Sequence, residues 1–279
     1  LDESGHLPLD GPQRRFGDGD ADAWAARVDA LKPSPGMAVG AAAHSVRAVP
    51  RDQLRTVARA ATGHPLHVHL SEQPAENEAC LKFYGCTPTA LLDSAGILGP
   101  STTAVHATHL TAEDIATLGS TSTTPCFCPT TERDLADGIG PARALRDAGC
   151  ALSLGSDQHA VIDLIDEARA LEMHERLHSL QRGRFRPDEL LAALTNHGSL
   201  GWPDAGRLEP GARADLVAVR LDSVCTAGSL PEQILLTATA ADIDTVLVDG
   251  QPVVSDGRHR LGDVGRMLVD AIDPLWTSR

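Results

Sequence analysis

Short apolar runs alternate with segments of helical periodicity along most of this chain, and this alternation constrains the fold more than any other feature. The predicted strands are 37–42, 66–70, 103–105, 122–126 and 151–154. Between them, residues 54–61 repeat apolar side chains on one helix face, and Thr111-x-x-Asp114 opens a helix in the capping-box manner. Strands that alternate with helices predict parallel β/α units.

After a predicted helix at 187–194, the alternation of strands and helices gives way to predicted strands joined by turns. Segments 214–221 and 245–248 are predicted strands, and 248–259 is a predicted hairpin around Asp249-Gly250. We therefore predict an α/β protein in three parts. An irregular leading segment at 1–22 precedes a β/α barrel portion at 23–205, and a small β appendage with a tail covers 206–279.

Polar residues follow the predicted strands at the point where each strand ends. The motifs are HSVR at 44–47, HLSE at 69–72, HATH at 106–109 and GSD at 155–157. In a β/α barrel the catalytic groups gather at the C-terminal ends of the strands. Five strand–helix units are visible, whereas a closed barrel needs eight, so the sequence predicts a partial TIM-type barrel.

Two of these motifs suggest a metal-dependent hydrolase. His67 and His69 share one face of a strand, and Glu72 lies just past its end. A metal hydrolase needs a neutral imidazole ligand and a nearby carboxylate that moves protons. Asp157, beside a glycine after an apolar strand, is a second candidate ligand. The alternatives are a polar strand end without chemistry and, for Asp157, a helix N-cap.

The other two motifs suggest contacts with a substrate. His106 is placed to hydrogen-bond to the substrate or to its developing negative charge, which leaves His109 to support or pack the site. Arg47 follows a barrel strand, and Arg is the preferred bidentate partner of a carboxylate. The alternatives are a structural histidine and a solvated arginine in a loop.

In chain order, a strand-end His with Glu three residues on, then His, then Asp, resembles the amidohydrolase superfamily. TPCFCPTTERDLADGIG at 124–140, together with LGSD at 154–157, is similar to the formimidoylglutamate deiminases, and this resemblance begins at about QRRF, residues 13–16. The segment 200–223, LGWPDAGRLEPGARADLVAVRLDS, is typical of the superfamily's closing segment. The resemblance implies barrel strands of about numbers 4–8 with part of a small β-sandwich domain.

The resemblance also implies the site and its reaction. His69 and Asp157 match metal ligands for one divalent ion, with Zn2+ expected and Fe2+ as the alternative. Lys occurs only at positions 32 and 82, away from every predicted strand end, so a carbamylated-Lys bridge between two metals is not available. The implied catalytic residues are Glu72, which moves protons, His106, which polarises the substrate, and Asp157.

The implied reaction is hydrolysis of N-formimino-L-glutamate to N-formyl-L-glutamate and ammonia, a step of histidine degradation. His44 and Arg47 match the pair that contacts the glutamate end of this substrate. The roles of Thr130, Thr131 and Glu132 stay open. A related deaminase of guanine or adenosine-like substrates is the main alternative, although a neutral base offers Arg47 no carboxylate.

The family's His-x-His metal motif would lie upstream of Leu1. With two ligands, we expect the chain to bind metal weakly or not at all, and its edge strands to favour aggregation. An inactive fragment that acts as a binding module is therefore a further alternative. His159 is interpreted as a surface residue rather than a substrate contact.

Composition narrows the class of partner and the compartment. The net charge is -14 and basic residues are scattered, which argues against nucleic-acid binding. No apolar run approaches the roughly 18 residues of a membrane span, and no signal-peptide pattern is present. The 6 Cys form no CxxC pair, which favours a reduced, cytoplasmic protein.

Pro125-Cys-Phe-Cys is one residue short of the zinc motif of cytidine deaminases, so we reject membership of that class. We expect a small-molecule substrate and, from the resemblance, a homodimer.

Overall fold

The computed structural model describes residues 1–158 and 161–277, and its larger part is a parallel sheet whose strands lie in chain order. The strands of this sheet are β1 (Ala41–Ala43), β2 (Leu66–Leu70), β3 (Thr102–His106), β4 (Thr124–Phe127) and β5 (Ser153–Leu154). Every neighbouring pair among them is parallel. The predicted β/α alternation is confirmed.

Helices precede, connect and follow these strands. They are α1 (Ala21–Ala30), α2 (Arg51–Ala60), α3 (Pro74–Tyr84), α4 (Pro88–Ser94), α5 (Ala112–Ser120), α6 (Pro129–Asp134), α7 (Ala142–Asp147), α8 (Leu164–Ser179) and α9 (Pro187–Leu194). Short 3-10 helices lie at Gly11–Phe16, His197–Leu200, Pro231–Leu236 and Ala240–Asp242. In the part of the chain that the structure describes, no helix combines the length and the apolar character that crossing a bilayer requires.

The alternation of side chains along β2 decides which face of the sheet is apolar. Leu66, Val68 and Leu70 are buried in the hydrophobic core, whereas His67 and His69 are only partly buried. Because successive residues of a strand point to opposite faces, both histidines lie on the face away from that core. The sequence predicted this shared face.

The predicted helix signals also appear in the structure. Leu54 and Val57 bury the inner face of α2. The capping box of α5 is formed, because Thr111 N donates to Asp114 Oδ2 at 2.9 Å and Asp114 N donates to Thr111 Oγ1 at 3.1 Å. Such a box satisfies two of the backbone N–H groups that a helix start leaves without partners.

A smaller antiparallel sheet follows, in the order β6 (Leu216–Val219), β7 (Ile243–Val248), β8 (Gln251–Ser255) and β9 (Arg258–His259). The hairpin predicted at Asp249-Gly250 joins β7 to β8, and both turn residues have positive φ, 51° and 74°. A two-residue turn with two positive φ angles matches the right-handed twist of the strands.

Several predicted boundaries differ from the structure. The strand predicted at 37–42 is β1 at Ala41–Ala43, because pairing starts where Ala41 N donates to Pro65 O. The strand predicted at 122–126 starts at Thr124, since Ser122 has a φ of 57° and turns the chain. The leading segment contains a 3-10 helix, and the predicted tail contains α10 (Val264–Thr277). The division at 22 and 205 stays a prediction.

Replacing Gly119 with Ala is expected to lower the free energy of unfolding by about 1–3 kcal/mol, the usual cost of overpacking. A Cβ at Gly119 in α5 would overlap the backbone carbonyl oxygen of Ala148, just after α7. Gly99→Ala is the matched control, because its Cβ would meet no heavy atom within 4 Å. Urea unfolding of both variants checks this, and equal stability of the two would contradict it.

Candidate metal and catalytic site

Polar side chains at or just beyond the C-terminal ends of β1, β2, β3 and β5 meet at one edge of the parallel sheet. The rings of His69 and His106 stack with centroids 5.6 Å apart. His44, which follows β1, has its ring centroid 5.1 Å from that of His69. Asp157 lies just beyond β5 and completes this group. The structure thus brings together residues that are far apart in sequence.

His69, His106 and Asp157 form a candidate metal site. Each offers one ligand atom, and these atoms lie within 4.8 Å of one another. His69 Nδ1 donates to the carbonyl oxygen of His44 at 2.8 Å, which leaves Nε2 as the ligand atom. Metal-binding histidines almost always have such a partner on their other ring nitrogen. Two imidazoles and a carboxylate suit zinc, so the residues fit the expected ion.

His106 is the one member of this group that the sequence did not count as a ligand. Its position is compatible with a third metal ligand and with the predicted contact to substrate. A catalytic zinc usually has three protein ligands and one water. The expectation of weak metal binding counted only two protein ligands, so a third one would strengthen the binding that we expect. His106 and Asp157 have φ angles of 69° and 44°. Such strained residues cost about 1–3 kcal/mol each and cluster at functional sites.

Glu72 lies between a guanidinium group and an imidazole. Arg47 Nη2 donates to Glu72 Oε2 at 2.6 Å, and Glu72 Oε1 lies 3.7 Å from His106 Nε2. Burial alone would raise the pKa of Glu72, but the Arg47 hydrogen bond and the charge of His106 bring it below its ordinary value. Glu72 is thereby held as a carboxylate, the form that accepts protons.

The pKa of His106 moves in the opposite direction. Burial alone would lower it, but the hydrogen bond to Glu132 and the negative charge of Glu72 outweigh burial and raise it above the ordinary value. The His106 side chain is 1% exposed. A buried imidazole between two carboxylates is well suited to carry a positive charge beside a reacting group.

Arg47 does not extend into bulk solvent, so the alternative of a solvated loop arginine is wrong. Its side chain is 29% exposed, and besides Glu72 its Nε lies 3.3 Å from Ser45 Oγ and 3.7 Å from Glu76 Oε2. His44 is more exposed, and its Nδ1 is hydrogen-bonded to Ser45 Oγ at 2.9 Å. Their contact with a substrate stays a prediction.

Glu132 is a site residue whose role sequence reasoning left open. Its Oε1 accepts a hydrogen bond from Cys128 N at 2.8 Å and lies 3.4 Å from His106 Nδ1. Thr130, which lies with Glu132 in α6, donates its N–H to Glu167 Oε2 at 2.9 Å. The signal in the sequence was an acidic residue in the CPTTE motif, residues 128–132, which follows a strand end.

The remaining histidines near the strands have structural partners. His109 Nε2 donates to the carbonyl oxygen of Asp137 at 2.7 Å, in keeping with its predicted supporting role. His67 Nε2 donates to the carbonyl oxygen of Ser199 at 2.7 Å. The prediction for His159 lies outside the described residues.

A family model described as the amidohydrolase family matches residues 18–253. The chain belongs to the amidohydrolase family. It is 38% identical over 214 residues to 8-oxoguanine deaminase of Pseudomonas aeruginosa, an alignment that covers 73% of this chain. It is 31% identical over 274 residues, 91% of this chain, to formimidoylglutamate deiminase of the same organism. A third relative, the 5-methylthioadenosine/S-adenosylhomocysteine deaminase of Pelotomaculum thermopropionicum, is 33% identical over 82% of this chain.

Solved structures share the fold. An amidohydrolase from Brucella melitensis matches 99% of this chain with a TM-score of 0.86 and 27% identity. An adenosine deaminase from Xanthomonas campestris with bound zinc matches 90% of it with a TM-score of 0.84 and 25% identity. The α/β architecture is therefore that of the amidohydrolase barrels, and one of these two solved structures holds zinc.

The chain spans 47–60% of the length of these three relatives. It likewise covers 64% and 61% of the two solved structures. Activity, substrate and assembly of the whole protein are therefore taken up as proposals.

Proposed function

We propose that this protein takes part in the hydrolytic deamination of N-formimino-L-glutamate to N-formyl-L-glutamate and ammonia. The observation that carries the proposal is a partly buried guanidinium, Arg47, in contact with the proton-transferring carboxylate Glu72. A partly buried guanidinium beside the strand-edge residues is a ready partner for a substrate that carries a carboxylate. The alignment over 91% of the chain with a formimidoylglutamate deiminase supports the same substrate.

Each side chain has a distinct task in this reaction. Arg47, with His44 beside it, binds the carboxylate end of the substrate and orients the formimino carbon towards Glu72 and His106. Glu72 accepts a proton from the attacking water and delivers it to the leaving nitrogen, so that the C–N bond breaks and ammonia departs. His106 stabilises the negative charge that develops as water adds, in the charged form that carries a proton on both ring nitrogens and that its raised pKa favours. These roles rest on the position of each group at the shared strand edge.

His69 and Asp157, with His106 in reach, are the residues that would hold a divalent ion. Such an ion, when bound, makes water nucleophilic at neutral pH by lowering its pKa to about 7. The stacked ring of His106 and the hydrogen bond from His69 Nδ1 to the His44 carbonyl fix the orientation of the His69 ring. The protein thereby orients His69 in advance for binding.

A purine-type deaminase is the second candidate, and the 38% identity to an 8-oxoguanine deaminase favours it. A neutral purine has no carboxylate to pair with Arg47, so the two substrates make opposite demands on that residue. Whether Arg47 contacts a substrate carboxylate therefore distinguishes the two candidate functions.

Ammonia release tests the proposal. The zinc-supplemented protein is expected to release ammonia from N-formimino-L-glutamate and much less from 8-oxoguanine or 5′-methylthioadenosine. The same preparation treated with a chelator is the control for metal dependence. Release from a purine alone would replace the proposal with the second candidate. Light scattering on the same sample tests the predicted homodimer.

A further inference from the structure

The CPTTE motif contributes one buried carboxylate to the site. Glu132 is 2% exposed and lies in α6, directly after β4. We propose that Glu132 is a positioning residue that fixes the tautomer of His106, with the proton on Nδ1 and with Nε2 turned to the reacting groups. The tautomer itself follows from the contacts, and its importance for turnover rests on the proposed function.

The hydrogen bonds at Glu132 determine which His106 nitrogen carries the proton. The Cys128 N–H donates to Oε1 at 2.8 Å, so this oxygen already acts as an acceptor. His106 Nδ1 lies 3.4 Å from the same oxygen. An ionised carboxylate only accepts hydrogen bonds, and the partner of one ring nitrogen sets the state of the other. Nδ1 therefore carries the hydrogen.

The same arrangement occurs at the neighbouring ring. His69 Nδ1 donates to the His44 carbonyl, and its Nε2 remains for the site. His106 Nε2, in turn, faces Glu72 Oε1 at 3.7 Å. Both stacked histidines thus have their Nδ1 atoms bound to fixed acceptors, and each keeps its Nε2 for the site. Because both rings are held through Nδ1, we infer that the contact with Glu132 orients His106 towards the site, as the contact with the His44 carbonyl does for His69.

Helix α6, which bears Glu132, is itself anchored by contacts to two other segments. Thr130 donates its N–H and its hydroxyl to the buried carboxylate of Glu167 in α8. Thr131 Oγ1 donates to the carbonyl oxygen of Ser156 at 3.3 Å, next to Asp157. Because these anchors involve neither Glu132 nor His106, the carboxylate is held in place independently of the ring that it orients. Thr130 and Thr131, whose roles the sequence left open, thus both anchor the segment that bears Glu132.

Long-range 1H–15N spectra of protein labelled with 15N-histidine test the proposal without substrate or metal. At a pH where the imidazole is neutral, His106, assigned by its loss in His106→Asn, is expected to be protonated on Nδ1. Glu132→Leu is expected to shift the population towards protonation on Nε2. Glu132→Gln is expected to do so to a smaller extent, and it keeps an oxygen for the Cys128 N–H should the Leu variant fail to fold.

Glu167→Gln is the matched control, since it alters a buried carboxylate of α8 that does not contact His106, and its amide oxygen can still accept the hydrogen bond from Thr130 N. It is expected to leave the tautomer unchanged. Protonation of wild-type His106 on Nε2 would overturn the proposal. An unchanged tautomer in both Glu132 variants, or an equal shift in Glu167→Gln, would do the same.

Kinetics separate this inference from the proposed function. Glu132→Gln is expected to lower kcat for N-formimino-L-glutamate by about 10–100-fold, as for other partners of active-site histidines, with KM within a few-fold of wild type. Inactive wild-type protein with the expected tautomer would refute the proposed function alone. Full kcat in a variant whose tautomer has shifted would refute the role of Glu132 in turnover.

Discussion

Replacing Glu72 with Gln is expected to lower kcat for N-formimino-L-glutamate by about 10²–10⁴-fold, the usual contribution of a general acid–base group. The amide keeps the size of the side chain and can still accept from Arg47, but it cannot take a proton. Zinc content should stay near that of wild type, because Glu72 is not among the candidate ligands. Steady-state kinetics and elemental analysis of the purified variant measure both quantities.

Glu78→Gln is the control for Glu72→Gln. Glu78 lies six residues further along, in α3, and it is exposed, so the same chemical change should leave kcat unaltered. Near-normal turnover in Glu72→Gln would remove Glu72 from the mechanism. Loss of zinc together with activity would instead make Glu72 a ligand.

Replacing Arg47 with Met is expected to raise KM for N-formimino-L-glutamate. Losing one partner of a desolvated charge pair costs about 2–5 kcal/mol, which corresponds to about 30-fold to about 4,000-fold in affinity. Because Arg47 also contacts Glu72 at 2.6 Å, a smaller decrease in kcat should accompany the change in KM. Saturation kinetics with N-formimino-L-glutamate measure both effects.

Arg51→Met removes the same charge at a position outside the site. Arg51 packs over the Tyr84 ring and donates to the Tyr84 carbonyl oxygen, so its loss should leave KM within about two-fold of wild type. An unchanged KM in Arg47→Met would refute the contact between Arg47 and a substrate carboxylate. It would also strengthen the purine alternative.

Local sequence patterns predicted the features that depend on neighbouring residues. β2 was predicted at its observed bounds, because its apolar and polar residues alternate and a proline precedes it. The Asp249-Gly250 turn was predicted because few residue pairs adopt two positive φ angles. The order of the strand-end motifs then placed His69, His106 and Asp157 at one edge, since parallel strands point their carboxyl ends the same way.

Pairings across the sheet were not predictable in the same way. Glu132 and His106 are 26 residues apart, and Arg47 and Glu72 are 25 apart. Their contacts depend on how two separate loops leave the sheet, which no local pattern encodes. The sequence therefore assigned Arg47 to a substrate and left Glu132 without a role. Helix α10 also lies in a segment that was predicted to be a tail.

Zinc titration of this chain tests most directly whether the strand-end residues form one metal centre. We predict saturable binding of about one equivalent, because three candidate ligand atoms lie within 4.8 Å of one another. His69→Ala and Asp157→Asn should each abolish this binding. His67→Gln is the control and should retain zinc binding. Position 67 lies on the same strand as His69, and the Gln amide can still donate to the Ser199 carbonyl oxygen. Zinc uptake that is absent in wild type, or unchanged in both ligand variants, would contradict the account.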